Sequence, residues 1–227
     1  MRVLGLDPSL TQFGWALHDT NAPVGEPSRC IQRGRFKTSS KMEFIDRYTL
    51  QRARLIELIR DLKPDRVGIE FPVFNNLWSE GMYGLFLFCC EALKSERCDV
   101  VFWAPLQIKA HARDSIDVPP GWEMDKTDMV RAAKVDAGGG RWNHNEADAY
   151  LCGVLAGRFW QFYTGEISED DLTRTEQRYF TRVHTYVRGK KEGQTVKTGV
   201  IHREDDRFFL WSKVQESPDA PRQSKVD

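Results

Sequence analysis

The chain has 227 residues, enough for one substantial core plus an appendage. Hydrophobic residues make up 41% and aromatic residues 11%, which argues against a disordered chain, while 33 basic against 33 acidic residues give zero net charge, so bulk charge does not advertise a nucleic acid. The five cysteines form no CxxC pair, which argues against a zinc site or a disulfide framework; with no apolar leader and no membrane-length apolar run, the expected compartment is a reducing cytoplasm.

In chain order, a first strand runs over residues 3–7 and is stopped by Pro8, with a hairpin partner at 14–18 and a third strand at 29–37. A helix fits 41–62, because Ile45, Tyr48, Arg52, Leu55, Ile59 and Leu62 recur at helical spacing with Arg52 as the polar break. A strand at 66–70 follows, then a strongly apolar helix at 79–94, a strand at 99–103, a short helix at 106–113 and a loop at 114–123. Another helix fits 126–135, broken by Gly138, Gly139 and Gly140, and a last core helix fits 145–163, with Cys152, Leu155, Phe159 and Phe162 as its buried stripe. Three early strands followed by alternating helices and strands predict an α/β fold on a mixed sheet: three antiparallel strands, then parallel ones, flanked by helices.

Two of these strands end in acid at the same place. Asp7 closes the first and Glu70 the strand at 66–70, each with a glycine two residues earlier, Gly5 and Gly68, on the same strand face. Such glycines clear room for another element to approach. Asp148, four residues before Cys152, shares the inward stripe of the last helix and is placed to meet both acids. Carboxylates gathered at one sheet edge are costly unless a cation compensates them, so the pattern points to a metal-dependent active site.

At this point the chain resembles a known family. Leu4-Gly5-Leu6-Asp7-Pro8-Ser9 with Gly14-Trp15-Ala16, then Gly68-Ile69-Glu70, then Ala104-Pro105-Leu106-Gln107-Ile108-Lys109 with Asp125-Lys126-Thr127-Asp128, and finally Glu146-Ala147-Asp148-Ala149, resemble in order and spacing the motifs of RuvC-type Holliday-junction resolvases of the RNase H-like superfamily. The resemblance covers residues 1 to about 163 and implies a five-stranded RNase H-like sheet and an endonuclease that resolves branched DNA by two-metal-ion hydrolysis, using two Mg²⁺ or Mn²⁺ ions per site. It implies Asp7, Glu70 and Asp148 as metal ligands, Lys126 beside the scissile phosphate, Lys109 on a backbone phosphate and Phe74 as a wedge stacking on an unpaired base. It also implies a homodimer through the apolar stretch 82–90, which opens with Met82 and closes with Cys90. The alternatives are burial of that stretch by the C-terminal segment, a flap or fork nuclease of the same fold, and a non-catalytic binder of branched DNA with a weakened metal site.

The chain departs from the family in three places. Asn145 stands where family members carry Asp or His; an Asn carbonyl ligates a hard cation without charge, and His144 is the alternative fourth ligand. The stretch between Lys109 and Lys126 is longer than the family's turn and contains Trp122. Residues 164–227 fall outside the resemblance and form a second unit, a basic hairpin extension ending in a disordered tail from 217. Strands at 182–187 and 194–201 bracket the hairpin tip, whose Arg188, Lys190 and Lys191 suit a DNA backbone or else serve as solvated cover for the core. Residues 208–211 are expected to pack back as a strand.

Overall fold

The computed structural model describes residues 1–72, 79–119 and 122–181, and the strands 183–185, 195–197, 200–204 and 207–211. Its elements are β1 (Arg2–Asp7), β2 (Gln12–Asp19), β3 (Cys30–Lys37), α1 (Phe44–Leu62), β4 (Arg66–Glu70), α2 (Ser79–Ser95), β5 (Val100–Trp103), α3 (Pro105–Arg113), α4 (Lys126–Asp136), α5 (His144–Tyr163), α6 (Arg174–Phe180), β6 (Val183–Thr185), β7 (Thr195–Lys197), β8 (Val200–Glu204) and β9 (Arg207–Trp211). Among the described residues no helix is long and apolar enough to cross a membrane.

The sheet runs in the order β3-β2-β1-β4-β5-β8-β9. Strands β1, β2 and β3 are antiparallel, β1, β4 and β5 are parallel, and β8 returns antiparallel on β5. The five strands expected from the sequence are present, but among the described residues the sheet has seven. The predicted strand at 194–201 divides: β7 pairs with β6 as a separate hairpin, while Val200 opens β8, which covers the hydrogen-bonding edge of β5 and pairs with β9. Arg203 anchors β8 by donating to the carbonyls of Leu93 and Cys98 at 3.1 and 2.7 Å. An edge strand left bare invites strand addition, and the chain's own C-terminal segment occupies that edge.

Side-chain alternation along β1 sends Leu4 and Leu6 to a core shared with α1 and α2, and Val3 to a second core built around α5. Gly5 lies on the α5 face. A Cβ added there would stand 1.9 Å from the Ala149 carbonyl oxygen, one at Gly68 2.5 Å from the Ala156 Cβ, and one at Gly14 2.1 Å from the Asn145 carbonyl oxygen. The two glycines read as clearances, Gly5 and Gly68, together with Gly14, which was not, are therefore what lets α5 lie directly on β1, β4 and β2. In place of one buried stripe, α5 is buried nearly all round, because the sheet takes one side and α3, α4 and α6 cover others. Its small residues Ala149, Gly153 and Ala156 face the sheet, and its large ones, Tyr150, Phe159 and Trp160, fill the core.

Helix α1 begins at Phe44 rather than at 41, and its buried stripe is Arg47, Gln51, Leu55, Leu58 and Ile59. Ile45, expected inward, is exposed. Arg52 turns outward to the Glu91 carboxylate of α2. The face is rotated because Gln51 has inward work: its Nε2 donates to the carbonyls of Ser9 and Leu10 at 3.1 and 3.0 Å, tying down the turn that follows Asp7.

Candidate active site

Three elements bring their acids to the carboxyl edge of the parallel strands. Asp7 ends β1 opposite Gly14 of β2; Leu6 pairs with Ile69 of β4, so Glu70 comes next along the neighbouring strand, itself opposite Trp103 of β5. The Phe71 N–H donates to the Trp103 carbonyl at 2.8 Å and keeps this end of the sheet closed. Asp148 lies in the second turn of α5, whose start is set by Asn143 accepting from the Asn145 N–H at 3.0 Å.

Their electrostatics show convergence. Burial pushes Asp7 well above the carboxylate range, the charges of Glu70 and Asp148 push it further, and Lys126 opposes them. Burial and then the Asp148 charge raise Glu70 to about 8 against the pull of Lys109. Burial raises Asp148 to about 6 against His144, Lys109 and Lys126. Asp7 thus feels both other acids, Glu70 feels Asp148, and both predicted lysines act on the acids. Lys109 projects from α3 half-buried, and Lys126 opens α4 on the exposed side.

The donor set is three hard carboxylates whose charge the protein alone leaves uncompensated, which is the chemistry a hard divalent cation satisfies. Among the described residues, however, no three His, Cys, Asp or Glu side chains stand close enough together to ring an ion. Charge and donor type fit a divalent cation, and holding one would require these side chains to move closer together.

The two candidates for a fourth ligand behave differently. Asn145 packs over Gly14, and its amide nitrogen donates to the Gln12 carbonyl, which commits one end of that side chain to β2. His144 is exposed, one turn before Asp148, and its charge acts on that acid; its Nδ1 lies 3.3 Å from the Lys126 carbonyl, linking the starts of α4 and α5. Phe74, Arg188, Lys190 and Lys191 lie outside the described residues. In the predicted dimer helix, Leu85, Phe86 and Cys89 are buried in the core, while Leu87 is 59% exposed. Sequence reasoning missed Gln51, although Arg47, Gln51, Leu55 and Leu58 share its helical spacing.

The comparisons bear on the fold. No family model matches the chain. It is 33% identical over 75 residues to the crossover junction endodeoxyribonuclease RuvC of Halothermothrix orenii, covering 33% of this chain and 44% of that protein. It is 31% identical over 114 residues to the RuvC of Alkaliphilus metalliredigens, covering 48% of this chain and 66% of that one. The matches thus span between 44% and 66% of these two relatives' lengths. Among solved structures, Thermus thermophilus RuvC superposes with a TM-score of 0.55 at 21% identity, covering 73% of this chain and 97% of that one. The T. thermophilus RuvC in complex with a Holliday junction substrate gives 0.55 at 19% identity, covering 69% and 94%. Fold and acid placement define an RNase H-like α/β protein. More narrowly, the family that the chain resembles in sequence and in fold is the RuvC type.

Proposed function

We propose that this chain is a divalent-metal-dependent endodeoxyribonuclease that cuts branched DNA, with the four-way junction as its leading substrate. The observation that carries the reading is the gathering at one sheet edge of three acids raised above their ordinary range, Asp7 by burial and the charges of Glu70 and Asp148, Glu70 by burial and the charge of Asp148, and Asp148 by burial, with Lys109 and Lys126 opposing the rise. Perturbed acids gathered with cations in this way mark functional sites, because folding alone gains nothing from them. Asp7, Glu70 and Asp148 would hold Mg²⁺ or Mn²⁺, with His144 or the Asn145 carbonyl as a further donor. Such cations act as Lewis acids that acidify water and stabilise a departing oxygen. Lys126, influencing Asp7 and Asp148 from the exposed side, offsets charge developing on a phosphate there. Lys109, influencing Glu70 and Asp148, holds the strand by a backbone phosphate.

Residues 1–163 form the catalytic unit in this reading, and 164–227 an extension whose basic hairpin, with Arg188, Lys190 and Lys191, grips a DNA arm. Two strands of a junction call for two sites, hence a homodimer. Its support is an apolar seam of stacked Phe44 and Tyr48, then Phe88 beside Tyr48, with exposed Leu87 on the same helix as Phe88. The inner face of the helix is covered by α1 and the sheet, so burial by the C-terminal segment is not needed to explain it.

Incubating the protein with synthetic four-way junction, flap and fork DNAs in Mg²⁺ and in Mn²⁺ tests the proposal. Paired nicks in the junction that vanish with a chelator are the expected result. Tight junction binding with no cut in either metal identifies a non-catalytic binder instead, a reading favoured by the engagement of Asn145 with β2.

A further inference from the structure

Trp122 lies four residues before Lys126, the first residue of α4, and its indole is 48% exposed. An exposed indole on a loop is ordinarily free to rotate, but this one is held. Its Nε1–H donates to Asp128 Oδ2 at 2.8 Å, and its backbone N–H donates to the Pro119 carbonyl at 3.1 Å. The same Asp128 oxygen accepts from the Asp125 N–H at 3.3 Å, while Asp125 Oδ1 accepts from the N–H groups of Thr127 and Asp128 at 2.7 and 2.8 Å. The indole is therefore built into the cap of the helix that presents Lys126 to the acids.

Trp122 belongs to neither core cluster, so covering the interior does not account for it. With its one donor used, it offers solvent a π face and an apolar edge and nothing else. A second helix start repeats the arrangement: Leu106, 76% exposed, lies in the first turn of α3 and shares a face with Lys109 three residues later. Each helix start thus carries a cation that acts on the acids and, within four residues of it in the chain, an apolar side chain left in water. Phosphates satisfy the cations; an apolar face set among them suits the other thing DNA offers at a branch, the flat face of a base without a stacking partner.

We propose that Trp122 is a base-stacking residue that receives an unpaired or branch-terminal base beside the scissile strand, and so selects branched over linear DNA. This rests on the nuclease reading above. Holding the indole in advance lowers the ordering cost of the stack.

The test is binding of the full chain, in an Asp7→Asn background that leaves the DNA intact, to a four-way junction with 2-aminopurine at the crossover and to linear duplex. Trp122→Ala should weaken junction binding about tenfold or more, the scale of one lost base–aromatic stack, and leave duplex binding unchanged. It should also leave the 2-aminopurine bright where the parent quenches it, and Trp122→Phe should restore both affinity and quenching. Trp122→Gln, which keeps an amide N–H without an aromatic face, must reproduce the alanine result, and it decides the matter if the alanine variant does not fold. Unchanged junction affinity and quenching overturn the proposal. Equal loss on junction and duplex with a lowered melting temperature also overturns it and makes Trp122 a helix cap; a changed oligomeric state makes it an interface residue. A parent that binds junction no better than duplex overturns the branched-substrate reading as well, whereas a junction-selective parent indifferent to Trp122 overturns this inference alone.

Discussion

Glu70 and Glu176 are both acids set into the interior, and their surroundings push them in opposite directions. Burial and the nearby Asp148 charge lift Glu70 to about 8. Glu176, 1% exposed, would be lifted by burial too, but His111 at 3.1 Å and Arg158 at 2.8 and 3.1 Å donate to it and hold it down at about 2. The second arrangement ties α6 to α3 and α5 and completes its own charge. The first gathers like charge from β1, β4 and α5 and leaves completion to something from outside. A buried acid that the fold satisfies works for stability; one that it leaves unsatisfied works for a ligand.

The largest expected effect breaks the unsatisfied site. Asp7→Asn, Glu70→Gln or Asp148→Asn should each abolish junction cleavage, a loss beyond the ~10–100-fold that removing an outer-sphere partner costs. Each should melt no lower than the parent in a chelator, because a costly buried charge has gone. Near-normal turnover in any one of them would remove that residue from the site. The mirror experiment is Glu176→Leu. It strands the Arg158 guanidinium and should cost about 3–5 kcal/mol in denaturant unfolding, while cleavage per folded molecule persists. Gly5→Ala couples the two regions through α5: the added Cβ meets the Ala149 carbonyl, and relieving that contact should cost ~1–3 kcal/mol and shift Asp148 away from its partners. Activity should fall with stability here, and a variant losing stability alone would show that α5 tolerates displacement.

The pH dependence sharpens the contrast further. Glu176 is depressed, so its stabilisation is complete above its ordinary 4.5 and is lost as pH falls from there toward 2. Glu70 is raised, so its preference for the protonated fold is complete below 4.5 and is lost as pH rises toward 8. Melting curves in chelator should therefore sag at both ends; Glu176→Gln should flatten the acid limb and Glu70→Gln the neutral one, and added Mg²⁺ should lift only the neutral limb. The smallest effect concerns the fourth donor. His144→Ala should raise the Mg²⁺ concentration needed for half-maximal cleavage if His144 ligates, and Asn145→Asp should lower it if Asn145 does; indifference at both positions leaves three ligating residues.

The strand-ending acids and their glycine clearances were legible in the sequence because period-2 alternation and the stop at a proline are local facts, whereas the two lysines were expected only through the family resemblance of their motifs. Gly5 before Asp7 and Gly68 before Glu70 predicted a close-packed element on their face, and α5 lies there. Tertiary structure decided the rest, by supplying partners remote in the chain. The inward face of α1 turns on Gln51 reaching Ser9 and Leu10, 42 and 41 residues away. The 194–201 stretch divides because β5 offers a bare edge to Val200, a competition that no local pattern records. Whether a buried acid is raised or held down depends on which charges folding brings beside it: Glu176 meets His111 from 65 residues away, while Glu70 meets Asp148. The sequence determines which side chains carry charge, and the fold determines which of those charges are left unpaired.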